Sequence, residues 1–188
     1  MDRVEFWLRD LATEKKIKDF HYISTTGTEL IDNLNTKNNL DESNILLGGY
    51  LLTKWASEKV LLNTSKKGLN VKIYRLGNVT GNSQTGISNY VNNHSLLFLK
   101  GCIQMRCAPK INYDFEIYPV DIISRDIVEL SLNGNFEFNF VINILSNIHK
   151  LVWSDYINKI NSYGFKLNLI SNKKWISLLK DIKEDNAL

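Results

Sequence analysis

The sequence predicts an α/β fold in which helices alternate with parallel strands. The run Phe20-His21-Tyr22-Ile23-Ser24 is short, apolar and aromatic, which is typical of a buried parallel strand. An amphipathic segment that ends at Gly68 is followed directly by an alternating segment, residues 69–76. Helix and strand in this order and at this spacing indicate a sheet whose parallel strands are joined by helices.

The segments around the first strand are less regular. Apolar residues at positions 4, 7, 8 and 11 have helical spacing, which predicts a helix over residues 3–17. Residues 29–47 are rich in Asn and Asp and predict a long loop. Structureless loops of that length inside a domain are uncommon and often functional.

The second half of the chain continues the same pattern. Gly77, Gly81 and Gly86 punctuate the segment after the second predicted strand. Because ligands of open α/β sheets bind at the carboxyl ends of the strands, this segment is a candidate binding loop. The remaining predicted elements are a helix over 125–133 capped by Ser124, a strand over 138–145, a helix from Ser154 to Tyr163, and a helix over 173–183.

Composition excludes several classes of function. The net charge of the 188 residues is +3 and both signs are interspersed, so no basic face for nucleic acid is indicated. No apolar run approaches the roughly 18 residues of a membrane span, and the N-terminus lacks the pattern of a signal peptide. The two cysteines stand outside any metal-binding spacing and suit a reducing compartment. We therefore expect a cytoplasmic protein that binds neither metal, nucleic acid nor membrane.

The most informative polar spacing is that of Tyr50 and Lys54. Residues four apart share one face of a helix. An ammonium beside a phenol favours the phenolate, which suits the phenol to general-acid catalysis. Chance alone supplies about one such spacing in a chain of this composition, so a solvated lysine beside a half-buried tyrosine is the plain alternative. The neighbouring sequence decides between the two.

Three ordered segments around this pair resemble the extended short-chain dehydrogenase/reductases. They are Phe20-His21-Tyr22-Ile23-Ser24-Thr25, then Gly49-Tyr50-x-x-x-Lys54-Trp55-x-x-Glu58, then Gly68-Leu69-x-Val71-x-Ile73-Tyr74-Arg75-x-Gly77-x-x-x-Gly81. Residues 78–86, 100–104 and 118–121 are similar to the terminal thioester reductase domains of nonribosomal peptide synthetases. Carboxylic acid reductases and fatty acyl reductases share the core pattern but match these later segments less well.

The resemblance implies a partial Rossmann-like parallel sheet with helices and a small, mostly helical C-terminal substrate subdomain. Residues 1–85 would form the C-terminal half of the catalytic domain, 86–123 the substrate loop region, and 124–188 a core helix and strand followed by the subdomain. The implied reaction is NADPH-dependent reductive release of an acyl or peptidyl thioester. The partner would be a phosphopantetheinylated carrier protein, and the product an aldehyde or, after a second reduction, an alcohol.

The resemblance also implies roles for individual residues. By position, Thr25 would orient and polarise the carbonyl, Tyr50 would donate the proton, and Lys54 would hold the cofactor ribose and tune Tyr50. Preorganised O–H donors are suited to the negative charge that hydride addition develops on oxygen. Thr25 has a plain alternative role as a strand-end residue.

The remaining implied contacts lie near the ends of the strands. Leu76 and Asn78 would lie near the nicotinamide, although Asn78 has an equally plausible plain role in a turn. Thr26 is a near rival of Thr25 for the hydroxyl role and a candidate substrate contact. Gly86 and Asn89, in the segment up to Gln104, would face the acyl chain or its pantetheine arm.

One part of the family's cofactor site has no counterpart in these residues. The chain has 10 glycines, and none forms the GxGxxG turn that brings backbone to a pyrophosphate. We therefore expect the catalytic half of the cofactor site here, the phosphate half in the remainder of a larger reductase domain, and weak NADPH binding by the isolated residues. One alternative is a truncated, inactive remnant that only binds acyl groups or carrier protein. A weaker alternative is a reductase or epimerase of a nucleotide sugar.

Overall fold

A computed structural model describes residues 10, 14, 16, 18–36, 48–112, 114–133, 140–144 and 150–182. The elements in chain order are β1 (Phe20–Thr25), α1 (Thr28–Thr36), α2 (Gly48–Ser65), β2 (Val71–Leu76), β3 (Asn78–Thr80), α3 (His94–Met105), β4 (Cys107–Pro109), β5 (Asp114–Pro119), α4 (Val120–Asn133), β6 (Phe140–Ile144), β7 (Lys150–Val152), α5 (Trp153–Ser162), β8 (Asn168–Ile170) and α6 (Asn172–Leu179). Helices alternate with parallel strands, so the predicted α/β class is confirmed.

The described residues group into two compact units. The first unit holds the described residues up to Gly77 and those from Ser124 to Ile144. The second unit holds residues 78–123 and the described residues from Lys150 onwards. The boundaries predicted at residues 85 and 123 from the resemblance stay a prediction.

The first unit is built on a parallel sheet in the order β1-β2-β6. Thr25 pairs with Leu76, and Leu76 pairs with Ile144, so the three strands end at one edge. The sequence predicts an alternating β2, yet all six of its residues are buried because it is the central strand. Its polar residues are paired: Lys72 with Asp19, and Arg75 with carboxylates of the neighbouring helices.

The predicted loop over residues 29–47 is wrong in its first part, where helix α1 forms instead. The hydroxyl of Thr28 donates to the carbonyl of Thr25 at 2.8 Å, and Ile31 is buried in the core. The polar composition of this short helix obscured its helical pattern, because only one face of the helix is buried. Residues 37–47 and most of the helix predicted over 3–17 lie outside the described residues.

The boundaries of the other helices differ by a few residues from those predicted. Helix α2 ends at Ser65, about two residues before the end predicted near Lys67, and Gly68 closes the following turn at a φ of +100°. Helix α4 begins at Val120, so Ser124 lies inside the helix and is not its N-cap. Helix α5 begins at Trp153, and its N-cap is Val152 without a side-chain hydrogen bond. Ser154, which was predicted to begin this helix, therefore lies within the first turn of α5.

The second unit combines β3-β5-β7 and β4-β8 sheets with three helices. The apolar residues Trp153, Ile157 and Ile160 of α5 are buried in its core, with Trp175 of α6. Helix α3 occupies much of the segment 86–104 that the sequence predicts as a loop. Burial raises the pKa of the Cys102 thiol to about 12, so this cysteine packs as a small apolar side chain. Within the described ranges, no helix combines the length and apolar character that crossing a membrane requires.

Candidate active site

The carboxyl edge of the parallel sheet carries three of the predicted site residues: Thr25, Thr26 and Leu76. Thr25 is the last residue of β1, half-buried, and lies opposite Leu76, the last residue of β2. The hydroxyl oxygen of Thr25 accepts a hydrogen bond from the backbone of Gly27 at 3.3 Å. Thr26 begins the turn, and its backbone N–H donates to the carbonyl of Leu76 at 3.0 Å. The two strand ends are therefore joined by backbone at the predicted site.

Helix α2 is fixed against this edge by Lys54. The Lys54 Nζ donates to the carbonyl of Ile23 at 3.0 Å and lies 4.7 Å from the centre of the Tyr22 ring. A cation over an aromatic face is attracted by the ring quadrupole. Lys54 thus contacts the strand that carries Thr25, two residues before that threonine. This contact was not among the sequence predictions, which assigned Lys54 to Tyr50 and to the cofactor.

Tyr50, Lys54 and Glu58 form a stripe along one face of α2. The spacing of four residues places them above one another on successive turns. Their exposure falls along the stripe: Tyr50 is 64% exposed, Lys54 is half-buried and Glu58 is 0% exposed. The buried end anchors the helix to the sheet, while the exposed end leaves the phenol of Tyr50 accessible to a ligand.

The anchor is a network of buried charge around Glu58. Its carboxylate accepts hydrogen bonds from Arg75 Nη2 at 2.5 Å and Nε at 3.0 Å. It also accepts from the hydroxyls of Ser24 at 2.5 Å and Thr28 at 3.1 Å. Arg75 Nη2 reaches a second carboxylate, Asp32, at 2.9 Å. The network joins β1, β2, α1 and α2 immediately beside Thr25.

The network satisfies the demands of burying charged groups. A buried carboxylate is tolerated when it is paired and its oxygens accept hydrogen bonds. Hydrogen bonds to Glu58 raise the pKa of Arg75 above its ordinary value, so the guanidinium stays charged. The sequence pattern contained Glu58 and Arg75, but it assigned them no function. The available signal was Arg75, a charged residue in a strand whose side chains are mostly apolar.

Asp32 closes the network on its solvent side. Burial by itself raises the pKa of Asp32, but hydrogen bonds from Lys59, Trp55 and Arg75 outweigh this effect and hold the pKa below its ordinary value. The carboxylate is therefore more stable in the folded chain than in the unfolded chain. Its contribution to stability is complete above the unfolded pKa of about 4 and is lost as the pH falls through the lower folded pKa.

We expect an Asp32→Asn variant to be less stable than the parent chain near neutral pH and to approach it in acid. The reason is that protonation removes from the parent the same charge that the substitution removes from the variant. Urea unfolding of both proteins from neutral to acidic pH measures the difference in the free energy of unfolding. A difference that stays constant over that range contradicts the assignment.

Three predicted site residues lie in the second unit. Asn78 begins β3 and lines a pocket of about 280 Å³ between α3, α5 and the neighbouring strands. Its side-chain oxygen accepts a hydrogen bond from the Ser95 hydroxyl at 3.2 Å. The pocket walls are mostly apolar and include Phe98, Leu99 and Trp153. The sequence predictions did not find this pocket, because its walls come from segments far apart in the chain.

Gly86 and Asn89 lie outside this pocket, in the exposed loop between β3 and α3. Gly86 has a φ of +68°, a conformation that favours glycine, and its N–H donates to the carbonyl of Asn82 at 2.9 Å. Asp121 holds the loop by accepting hydrogen bonds from the backbone and hydroxyl of Ser83. The side chain of Asn89 accepts from the backbone of Asn92 at 3.4 Å. Their predicted contact with substrate stays a prediction.

A parallel sheet with a hydroxyl residue at a strand end, and a helix that carries Tyr and Lys one turn apart, defines an extended short-chain dehydrogenase/reductase fold. Comparison with known families supports this class. The model of the NAD-binding family described as male sterility protein matches residues 8–127, and the chain belongs to this family.

Named relatives agree with this assignment. The chain is 31% identical over 201 residues to the L-2-aminoadipate reductase large subunit of Candida glabrata, covering 96% of this chain and 15% of that protein. It is 29% identical over 191 residues to a linear gramicidin synthase protein of Brevibacillus parabrevis, covering 95% of this chain and 4% of that protein. The chain thus spans a small part of the curated relatives it matches. The predicted resemblance to synthetase reductase domains is confirmed.

Solved structures share the fold. The terminal R domain from the myxalamid biosynthetic pathway superposes with a TM-score of 0.78 at 29% identity, covering 94% of this chain and 46% of that one. A thiolation-reductase di-domain from an archaeal nonribosomal peptide synthetase gives a TM-score of 0.73 at 19% identity, covering 98% of this chain and 52% of that one. The fold is therefore that of the reductase domains of these synthetases.

Proposed function

We propose that this chain takes part in NADPH-dependent reductive release of an acyl or peptidyl thioester from a phosphopantetheinylated carrier protein. The observation that carries the proposal is the contact of Lys54 with the Ile23 carbonyl. It fixes the helix that bears Tyr50 and Lys54 against the strand that ends in Thr25. A phenol, an ammonium and a hydroxyl are thereby held on adjoining elements beside a sheet edge where α/β folds bind ligands.

The residues of this edge fit the nicotinamide half of the cofactor. The Lys54 ammonium has three N–H groups and gives one to Ile23, which leaves donors for ribose hydroxyls. Leu76, an apolar and largely buried residue, ends β2 opposite Thr25, and we propose that the nicotinamide ring lies beside it. The sequence contains no GxGxxG run among its 10 glycines, and we propose that the pyrophosphate is held by the remainder of the reductase domain.

The proposed chemistry places two O–H donors where negative charge develops. When bound, the nicotinamide supplies a hydride to the thioester carbonyl carbon. Thr25 and Tyr50 donate hydrogen bonds to the resulting oxyanion, which lowers the barrier because the donors are preorganised. Reformation of the carbonyl breaks the carbon–sulfur bond and releases the pantetheine thiol and an aldehyde. Tyr50 is the proposed source of the proton, and Lys54 keeps helix α2 in place.

The proposed partner is a carrier domain, and the proposed compartment is the cytoplasm. The archaeal structural neighbour is named as a thiolation-reductase di-domain, so its fold occurs beside a carrier domain. Both cysteines of this chain are free, which suits a reducing compartment. The net charge of +3 favours neither nucleic acid nor membrane as a partner.

Two other functions can be distinguished from the proposed reductase function. An inactive acyl-binding or carrier-binding module would share every contact described above and differ only in turnover. A nucleotide-sugar enzyme is less well supported, because UDP-N-acetylglucosamine 4-epimerase from Bacillus cereus superposes with a TM-score of 0.58, below the 0.78 of the myxalamid R domain.

The proposal is tested by assaying the full gene product that contains these residues with an acyl-loaded carrier domain and NADPH. We expect NADPH consumption and aldehyde formation in equal amounts, or two NADPH per alcohol. The aldehyde is trapped as an oxime and identified by mass spectrometry. Release of the free acid without NADPH consumption contradicts the proposal. Carrier binding without turnover supports the inactive module, and turnover of a nucleotide sugar supports the third function.

A further inference from the structure

We propose that the pocket between α3 and α5 binds an uncharged, apolar acyl group, which defines the substrate class of the reaction proposed above. This inference rests on that proposed function. The pocket lies within the second unit and encloses about 280 Å³, close to the lower end of the roughly 300–1,000 Å³ that small-molecule sites occupy. A space of this size suits one short acyl chain or one apolar side chain.

Three aromatic side chains form part of the pocket wall. Phe98 lies 5.8 Å from Trp153, and Trp153 lies 6.1 Å from Tyr156, measured between ring centres. The indole N–H of Trp153 donates to the carbonyl of Pro109 at 2.7 Å, which fixes the ring. The wall is thus apolar and preformed, and an acyl chain that enters it gains hydrophobic contact without ordering the protein.

Apart from the Trp153 indole and the Tyr156 phenol, the polar side chains of the lining come from β3 and the first turn of α3: Asn78, Thr80, His94 and Ser95. The Ser95 hydroxyl donates to the side-chain oxygen of Asn78 at 3.2 Å. We therefore orient the acyl group with its thioester end towards Asn78 and its tail towards Phe98 and Trp153.

The chemistry of the lining excludes a charged tail. The described residues that line the pocket include no Asp, Glu, Lys or Arg, and the one imidazole, that of His94, is exposed. A 2-aminoadipyl group carries an ammonium and a carboxylate, and burial would leave both without ionic partners at a large cost. This chain therefore differs in expected substrate from its relatives that are named as L-2-aminoadipate reductases.

Calorimetric titration of the purified chain with acyl-pantetheines, in the absence of NADPH, tests the inference. Butanoyl, pentanoyl and hexanoyl pantetheine form a length series, and adipoyl pantetheine matches the hexanoyl compound in carbon number but ends in a carboxylate. We expect affinity to rise about three- to fourfold per added methylene. We expect the adipoyl compound to bind at least about tenfold more weakly than the hexanoyl compound. Affinity that is independent of length, or equal for these two compounds, overturns the inference.

A matched pair of variants tests whether the acyl group binds in this pocket. Ser95→Phe introduces a ring into the lining, whereas Ser177→Phe makes the same change on the exposed surface of α6 in the same unit. We expect only Ser95→Phe to lose the dependence on chain length, with circular dichroism to verify that both variants are folded. If Ser95→Phe keeps wild-type affinity, the pocket is not the site. If Ser95→Phe unfolds, the length series on the parent chain still decides.

Different results contradict the proposed reductase function and the proposed acyl pocket. Length-dependent binding without turnover contradicts the reductase function and leaves the acyl pocket in place. Turnover that is equal for hexanoyl and adipoyl substrates supports the reductase function and overturns the apolar pocket.

Discussion

A Tyr50→Phe variant is expected to reduce thioester turnover by about 100-fold or more, the usual effect of losing a general acid. The substitution removes one oxygen from a ring that is 64% exposed, so it leaves the packing of α2 unchanged. In the proposed mechanism, the oxyanion then keeps Thr25 as its hydrogen-bond donor and loses Tyr50 as its proton source. Because this interaction is specific to the transition state, kcat and kcat/KM should fall equally. Steady-state NADPH consumption with an acyl-loaded carrier measures both.

Tyr163 supplies the matched control for this prediction. It lies in the turn after α5 and is 74% exposed, and the Lys159 ammonium lies 5.5 Å from the centre of its ring. Tyr163→Phe therefore removes a phenolic oxygen of similar accessibility, far in sequence from the α2 stripe. We expect its turnover to equal that of the parent protein. Equal turnover of Tyr50→Phe and Tyr163→Phe would remove Tyr50 from the mechanism.

The parts of the fold that sequence predicted are those with strong local signals. β1 is a short, largely apolar and aromatic run, and the turn after α2 closes at Gly68, which takes a left-handed conformation. These signals reflect burial and backbone sterics, which act within a few residues. They were sufficient to place Thr25, Lys54 and Leu76 at one edge of a sheet.

The parts that sequence missed depend on contacts between distant segments. Helix α1 has polar composition, and it is stabilised by the burial of Ile31 and by hydrogen bonds of Thr28 that only the folded chain provides. The pocket joins residues from β3, α3 and α5, which lie up to 78 positions apart between Asn78 and Tyr156. Such an arrangement of distant residues cannot be predicted from the periodicity of a single segment.

The buried ion network shows the same limit at the candidate site. A lone Arg in a strand pattern has an ordinary explanation as a solvated residue on the outer face. Only the central position of β2 makes that explanation wrong, because both faces of the strand are covered. Arg75 must then find a carboxylate, and Glu58 supplies it from the α2 stripe. The residues that fix the site are thus identified by burial, whereas the residues proposed to react are identified by motif.

Replacing Arg75 with Met is expected to lower the free energy of unfolding by about 3–5 kcal/mol, the usual cost of leaving a buried charge without its partner. Glu58 is fully buried, and Ser24 and Thr28 hydroxyls alone cannot neutralise its charge. A double variant, Glu58→Leu with Arg75→Met, should lose less than the sum of the two single changes, because it leaves no unpaired charge. Urea unfolding of the four proteins gives the coupling free energy.

Arg125→Met provides the exposed counterpart of the same substitution. Arg125 lies on α4, its side chain is 72% exposed, and it approaches Asp126 at 4.0 Å. Ion pairs of this kind contribute about 0–1 kcal/mol, so this variant should unfold almost as the parent protein does. If Arg75→Met lowers the free energy of unfolding no more than Arg125→Met does, the network around Glu58 does not stabilise the fold. A larger decrease for Arg75→Met shows that the ion pair beside Thr25 stabilises the fold. Glu58 accepts hydrogen bonds both from Arg75 and from Ser24, the residue before Thr25.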